Sequence, residues 1–297
     1  MYKKYIEENE EIRCWFKVSS NRKKVRNIQL GLLEEVKRIC KKHGLRYYAD
    51  SGTLLWAVRH KWFIPWDDDI DLIMFRDDYD KFISIAPKEL HEPYILQANY
   101  CGWFAKLRNE STLALDDYDR DVDYLGGISL DIFPLDYMSK YKIINFTQKY
   151  ILIFVRWILI SLKYKNYFVK VNTLKKIFWY ICRFVFWFLN YNKIYSIYDN
   201  LCKKTLFVDK SHVVDRCEYF QFFYDVKDLK SGSDIDFENI KISIPSWYDN
   251  ILKRLYWNYR KPVIWPWWHN CLYLFDKGYK EIEQNWKIDN TQFMSLW

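Results

Sequence analysis

Glycine is scarce in this chain, eight among 297 residues. Flexible glycine-rich tethers are therefore excluded as an organising feature, and no internal repeat or low-complexity linker divides the sequence. Close cysteine pairs are also missing. The seven cysteines (Cys14, Cys40, Cys101, Cys182, Cys202, Cys217 and Cys271) are scattered without a CxxC, which argues against a thiolate zinc site. Their number is odd and the opening MYKKYIEENEEIR is polar, reading as no signal peptide. Reduced thiols and a cytoplasmic location are the expectation. Long apolar runs are absent as well. The two longest, 150–162 (YILIFVRWILISL) and 177–189 (IFWYICRFVFWFL), each carry a central arginine, Arg156 or Arg183. Both fall short of the ~20 residues a bilayer requires, so no transmembrane helix is expected from them.

What is present is hydrophobic mass. Half of the residues are hydrophobic and 20% are aromatic, so a folded chain with a substantial core is expected, as one large domain or two small ones. The formal net charge of +8 favours phosphate-rich partners: nucleotides, nucleic acid or an anionic membrane face. No nucleic-acid recognition motif accompanies the charge, so nucleic acid is the weakest of the three.

Apolar residues at Val25, Ile28, Leu32, Val36, Ile39 and Cys40 predict a helix over 22–43, closed by Gly44. Residues 45–49 read as a short strand and Thr53–His60 as one or two helical turns. Pro65 breaks the chain. Residues 69–75 then alternate charged and apolar side chains like a half-buried strand, which would put Asp69 and Asp71 on one face. A helix is expected over 77–85 and strands at 94–98, 104–109 and 127–133, the last ended by Pro134. Residues 141–205 read as helical, aromatic and basic. The remainder mixes short elements around FENIKISIP with a helix at 246–260.

The stretch Asp50–Asp71, DSGTLLWAVRHKWFIPWDDDID, is the densest in chemistry. It sets Asp67, Asp68, Asp69 and Asp71 within five residues of one another. Crowding that much like charge is costly unless cations neutralise it. Mg²⁺ or Mn²⁺, hard ions that take oxygen ligands and carry phosphates, are the natural choice. Asp69 and Asp71 are the first candidate ligands. Asp131 in SLDIF, a mid-strand carboxylate among apolar neighbours, is the candidate third. The competing reading is a solvated acidic turn plus a hydrogen-bonded core aspartate. Gly52 and Thr53 form a turn before a helix, where backbone N–H groups and a hydroxyl can meet a phosphate, or simply cap the helix.

These motifs resemble a known family. GTLLxAVRHxxFIPWDDDID, then DYDKF, KLRNESTLAL and LDIFPLD are similar to the LicD/fukutin-type phosphotransferases. The likeness is strong over about residues 25–137 and weaker over 237–269, where FENIKISIP, WYDNIL, Pro262 and His269 carry it. Residues 141–205 hold no matching motif. The resemblance implies an α/β (α+β) core of nucleotidyltransferase type with a mixed sheet. Residues 1–140 would form the catalytic core, 141–205 a helical insertion, and 206–297 a C-terminal segment completing the site. It also implies metal-dependent transfer of a phospho-alcohol, such as phosphocholine or ribitol phosphate, from a CDP-activated donor. The acceptor would be a hydroxyl of a cell-surface glycan, such as lipopolysaccharide or teichoic acid, or of its lipid-linked precursor. Gly52, Thr53, Asp69, Asp71 and Asp131 fall on motif positions. Two departures stand out: Trp56 where glycine is usual, and YWNYRKP (256–262) where the family tends to have Tyr-Gly-Asp-Tyr.

Arg59, Lys106 and Arg108 are candidates for the donor phosphates, Lys106 and Arg108 sharing a strand face. Asp131 is also the candidate that activates the acceptor hydroxyl, ahead of His60 and His269. The acidic run Asp116, Asp117, Asp119, Asp121 and Asp123, with Tyr118 and Tyr124, can attract a cationic head group or can simply be solvated. For 141–205, a helical subdomain packed on the core competes with an interfacial contact at the inner membrane face. Two other functions remain open: nucleotidyl transfer from an NTP, and a non-catalytic membrane-surface adaptor.

Overall fold

The computed structural model describes residues 11–14, 16–67, 69–98, 103–115, 126–164, 173–217, 222–261 and 272–274. A small hairpin of β1 (Glu11–Arg13) and β2 (Phe16–Val18) leads into α1 (Ser20–His43). The Ser19 side chain accepts the Arg22 N–H at the start of α1, and Gly44, at φ 63°, closes it with its N–H on the Cys40 carbonyl. The helix starts two residues earlier than its apolar spacing predicts. Its buried stripe includes Val25, Leu32, Leu33, Val36, Ile39 and Cys40, and each fully buried aliphatic side chain contributes about 1.5–3 kcal/mol.

The next elements build a seven-stranded mixed sheet. In chain order they are β3 (Tyr48–Ala49), α2 (Ser51–His60), β4 (Asp71–Phe75), α3 (Arg76–Glu89), β5 (Tyr94–Gln97), β6 (Ala105–Asn109) and β8 (Ser129–Ser139), with β7 (Leu113–Leu115) lying between β6 and β8 in the chain but outside this sheet. β9 (Val208–Asp215) and β10 (Phe223–Asp225) complete it from beyond the helical segment. The strand order is β10-β9-β8-β4-β3, with β6 also paired to β8 and β5 to β6. β4 and β8 run parallel, while the other pairs in the sheet are antiparallel. β4 is therefore buried between neighbours and reads as a near-continuous apolar run, Leu72-Ile73-Met74-Phe75, as a central parallel strand does. α1 and α3 pack on β8, and α3 also on β4.

Two expectations change. The strand predicted to end at Pro134 continues to Ser139. The Asp131 N–H bonds to the Ile70 carbonyl, so alternate nitrogens point toward β4 and that of Pro134 points away. On that other side β6 pairs only as far as Ile132 and β9 begins at Leu135. Proline's missing donor thus falls at the handover between two neighbours and costs no ladder bond. The strand predicted from Asp69 instead begins at Asp71, so Asp69 lies in the approach to it.

The segment 141–205 contains three helices, α4 (Lys142–Lys163), α5 (Thr173–Phe186) and α6 (Tyr191–Lys203). α4 extends well beyond the 150–162 run, and with 22 residues, including an 18-residue stretch of mean hydropathy 1.4, it is long and apolar enough to cross a bilayer. One side of α4 is nevertheless committed to protein: Leu152 and Leu159 pack with Tyr195, Tyr198 and Cys202 of α6. Between them lies Arg156, only 2% exposed. Its guanidinium donates to the Tyr198 hydroxyl and to the Arg216 and Cys217 carbonyls. The chain then returns to the sheet through β9. A hairpin of β11 (Gly232–Phe237) and β12 (Ile240–Pro245) follows, then α7 (Tyr248–Tyr256), which meets α2. β13 (Leu272–Leu274) pairs with β7.

Candidate active site

The parallel register of β4 and β8 sets Asp71 directly opposite Asp131. β3 lies on the other side of β4, and the Asp50 N–H bonds to the Asp71 carbonyl at 3.0 Å. Three carboxylates thus begin adjacent backbone positions of one sheet end. Thr53, in the first turn of α2, accepts the Asp71 N–H on its hydroxyl at 3.0 Å. That bond fixes the helix start to the strand start. Two arginines of α1 hold the loop ahead of the acidic run. Arg22 donates to the Trp66 carbonyl and Arg26 to those of Ile64 and Pro65.

Beside this pair lies a cavity of about 270 Å³. Asp67, Asp69 and Asp71 line its acidic end, with Gly52 at the start of α2. A Cβ on Gly52 would come within 3.0 Å of Ile64 Cδ1 and 3.5 Å of Asp67 Oδ2, so the bare glycine keeps that end open. Trp56, Trp66 and Tyr256 form aromatic walls, and Arg59, Tyr259 and Lys261 are also part of the lining. Trp56 meets Trp66 edge-on at 5.6 Å and lies 4.4 Å from the His60 ring. The departure at Trp56 is therefore a wall of the cavity, and YWNYRKP supplies part of the lining.

Burial and then the charges of Asp69, Asp131, Asp67 and Asp50 push the Asp71 carboxyl well above its ordinary value. These largest contributions are all from other carboxylates, so the site favours an added cation. Burial and then Asp50, Asp71, Asp67 and Asp69 also push the Tyr256 phenol upward, which keeps it a neutral donor beside them. The Tyr224 hydroxyl donates to Asp50 Oδ2 at 2.7 Å. Asp50, Tyr224 and Tyr256 escape the sequence reading. Asp50 heads the acidic stretch, but only its pairing across β3 and β4 reveals its place, and nothing in the sequence singles out two tyrosines among 25.

The basic candidates divide. Arg59 lines the cavity, lies 4.7 Å over Trp56, donates from Nε to His60 Nε2 at 2.8 Å and reaches the Tyr259 carbonyl at 2.9 Å. Lys106 grips both oxygens of Asp131, at 2.9 and 2.7 Å. Arg108 is 4% exposed, bonded to Gln97 and to the Gly127 carbonyl, and is not among the residues lining the cavity. The structure gives it a role in holding the start of β8. Lys106 and Asp131 are not among the lining residues either. His269, Asp68, the acidic run 116–123 and Tyr118 and Tyr124 lie outside the described residues.

The donor set suits a hard divalent cation: carboxylate oxygens, one of them buried among like charges. Among the described residues no three acidic, histidine or cysteine side chains gather into a ready-made cage. Mg²⁺ requires none, since it is commonly held by one or two carboxylates together with substrate phosphates and water.

Residues 44–151 match the model of the LicD/FKTN/FKRP nucleotidyltransferase domain. Over 113 residues the chain is 36% identical to the lipopolysaccharide cholinephosphotransferase LicD of Haemophilus influenzae, covering 36% of this chain and 41% of that protein. An uncharacterised protein of Rickettsia typhi is 29% identical over 126 residues, 38% of each chain. One of Rickettsia prowazekii is 37% identical over 57 residues, 19% of this chain and 21% of that one. The chain spans about two fifths of the length of the first two relatives. The matched region contains the whole acidic stretch together with β4, β6 and β8.

Proposed function

We propose that this protein transfers a phospho-alcohol, such as phosphocholine or a polyol phosphate, from a CDP-activated donor to a hydroxyl of a cell-surface glycan or its lipid-linked precursor. The observation that carries the reading is the register of Asp71 against Asp131 beside an acidic, aromatic-walled cavity. The name of the Haemophilus relative, a lipopolysaccharide cholinephosphotransferase, supports the chemistry. Asp69, Asp71 and Asp131 would hold Mg²⁺ or Mn²⁺. The ion would polarise the transferred phosphate and offset the charge of the leaving CMP.

The chain's own residues supply the rest. Arg59, braced by His60 and the Tyr259 carbonyl, presents a planar fork to the donor phosphates. The first turn of α2, with Gly52 at its cavity edge, offers backbone N–H groups to the same charge. Lys106 holds Asp131, which would take the proton of the attacking hydroxyl. Trp56 and Trp66 exclude water from one side of the reacting phosphate. A cytoplasmic setting at the inner face of the membrane goes with this reading.

The test is to supply the purified protein with Mg²⁺ or Mn²⁺, CDP-alcohols and NTPs, with and without glycan acceptors, and to identify the nucleotide released. CMP from one CDP-alcohol, abolished by Asp71→Asn, is the expected result. Pyrophosphate from an NTP would replace the proposal with nucleotidyl transfer.

A further inference from the structure

We propose that α4 and α5 form a docking surface for the anionic face of a phospholipid bilayer. This proposal does not depend on the reaction assigned to the cavity. The observation is an apolar stripe that points the wrong way for a water-soluble helix. Leu174, Ile177, Ile181, Phe184 and Phe188 recur at helical spacing along α5 and just past its end, and all are exposed, Leu174 by 74% and Phe184 by 82%. Trp187 beside them is 73% exposed. The other side of α5 is already occupied, with Trp179 and Cys182 buried. An amphipathic helix on a soluble domain turns such a stripe inward. α4 continues the surface with exposed Ile143, Phe146, Tyr150 and Phe154, and Phe154 meets Phe186 edge-on at 6.1 Å. An apolar area this continuous marks an interaction site.

Charge identifies the occupant. Residues 141–205 contain twelve lysines and arginines and one acidic residue, Asp199. This segment alone exceeds the +8 of the whole chain. Exposed Lys175 and Lys176 stand at the start of α5. Aromatic and aliphatic side chains interleaved with one-signed positive charge match an interface with anionic headgroups. A second copy of the chain would bring two strongly positive faces together and is disfavoured. The surface lies on the bilayer and does not span it, because α4 is anchored sideways. Arg156 is buried in hydrogen bonds to Tyr198 and the 216–217 backbone, and Leu152 and Leu159 are packed on α6. A lipid surface of this kind is also where a lipid-linked acceptor would concentrate.

Cosedimentation of the purified full chain with phosphatidylcholine vesicles, alone or mixed with phosphatidylglycerol, tests the proposal. Binding to the mixed vesicles should exceed binding to the neutral ones by about tenfold or more and weaken as salt is raised. The triple substitution Phe184→Ser, Trp187→Ser, Phe188→Ser should lower it by about tenfold, with far-ultraviolet circular dichroism unchanged because these side chains are exposed. The pair Lys175→Glu, Lys176→Glu should lower it too, and Ile12→Ser, exposed elsewhere on the chain, should not. Equal binding to neutral vesicles, no binding by the folded chain, or a dimer that the triple substitution dissociates would each overturn the proposal.

Discussion

Asp71 carries the conflict between stability and function at this site. It is buried at the start of a central strand and faces the charges of four other carboxylates. In metal-free buffer Asp71→Asn should therefore raise Tm by a few degrees, since it removes one desolvated like charge. The same change should lower kcat by about 10²-fold or more. Thermal melting and turnover on one preparation check both, and a variant that melts lower than the parent would contradict the electrostatic account. His60 sets a second residue-scale expectation. Burial and then the Arg59 charge push its imidazole below the ordinary value of 6.5. The neutral ring accepts the Arg59 Nε–H. A depressed value means that this arrangement is intact above 6.5 and is lost as pH falls through the lowered value. The donor KM should rise on the acid side, and His60→Gln, which keeps an acceptor, should flatten that profile in steady-state kinetics. Asp69, Asp71 and Asp131 can be singled out in the sequence because crowding like charge amid apolar residues is costly. Asp50, Tyr224 and Tyr256 cannot, because their place depends on strand pairing and on a tail that folds back from 185 residues beyond Asp71.

At the scale of elements, local signals served well where they were local. Gly44 closes α1 where the apolar spacing predicts, and the acidic run lines one end of the cavity, whereas the Ser19 cap sets the start of α1 two residues before the predicted one. Signals that depend on neighbours failed. Pro134 reads as a strand end, yet it sits where β8 exchanges β6 for β9. Arg108, read from sequence as a candidate for the donor phosphates, donates in the fold to the Gly127 carbonyl at the Gly126–Gly127 entry to β8. That entry is tight: a Cβ on Gly127 would lie 1.8 Å from the Asn109 carbonyl oxygen, and one on Gly126 would lie 2.5 Å from Arg108 Nη1. Gly127→Ala should destabilise the fold by about 1–3 kcal/mol, measured by urea unfolding. It should also depress kcat, since the start of β8 positions Asp131. A neutral substitution there would show that the entry is more yielding than its geometry implies.

Across the whole molecule, the sheet couples the site to the helical segment. Arg76 at the start of α3 binds both oxygens of buried Asp136 on β8 at 2.7 Å and Asp199 on α6 at 3.2 Å. Lys203 of α6 returns to Asp80 of α3 at 2.9 Å. The helical segment, most of which lies beyond the matched residues 44–151, is thus held to the same strand that carries Asp131. Its charge and aromatic content were plain in the sequence, whereas the outward direction of the α5 stripe required the packing. The central claim, however, concerns the other end of β8: that Asp71 and Asp131 hold a divalent cation, which in turn holds the donor phosphates. Calorimetric titration of CDP into the protein, with and without Mg²⁺, tests it most directly. The account predicts binding that needs Mg²⁺ and falls at least about tenfold in Asp71→Asn. CDP binding indifferent to both the ion and the substitution would contradict it.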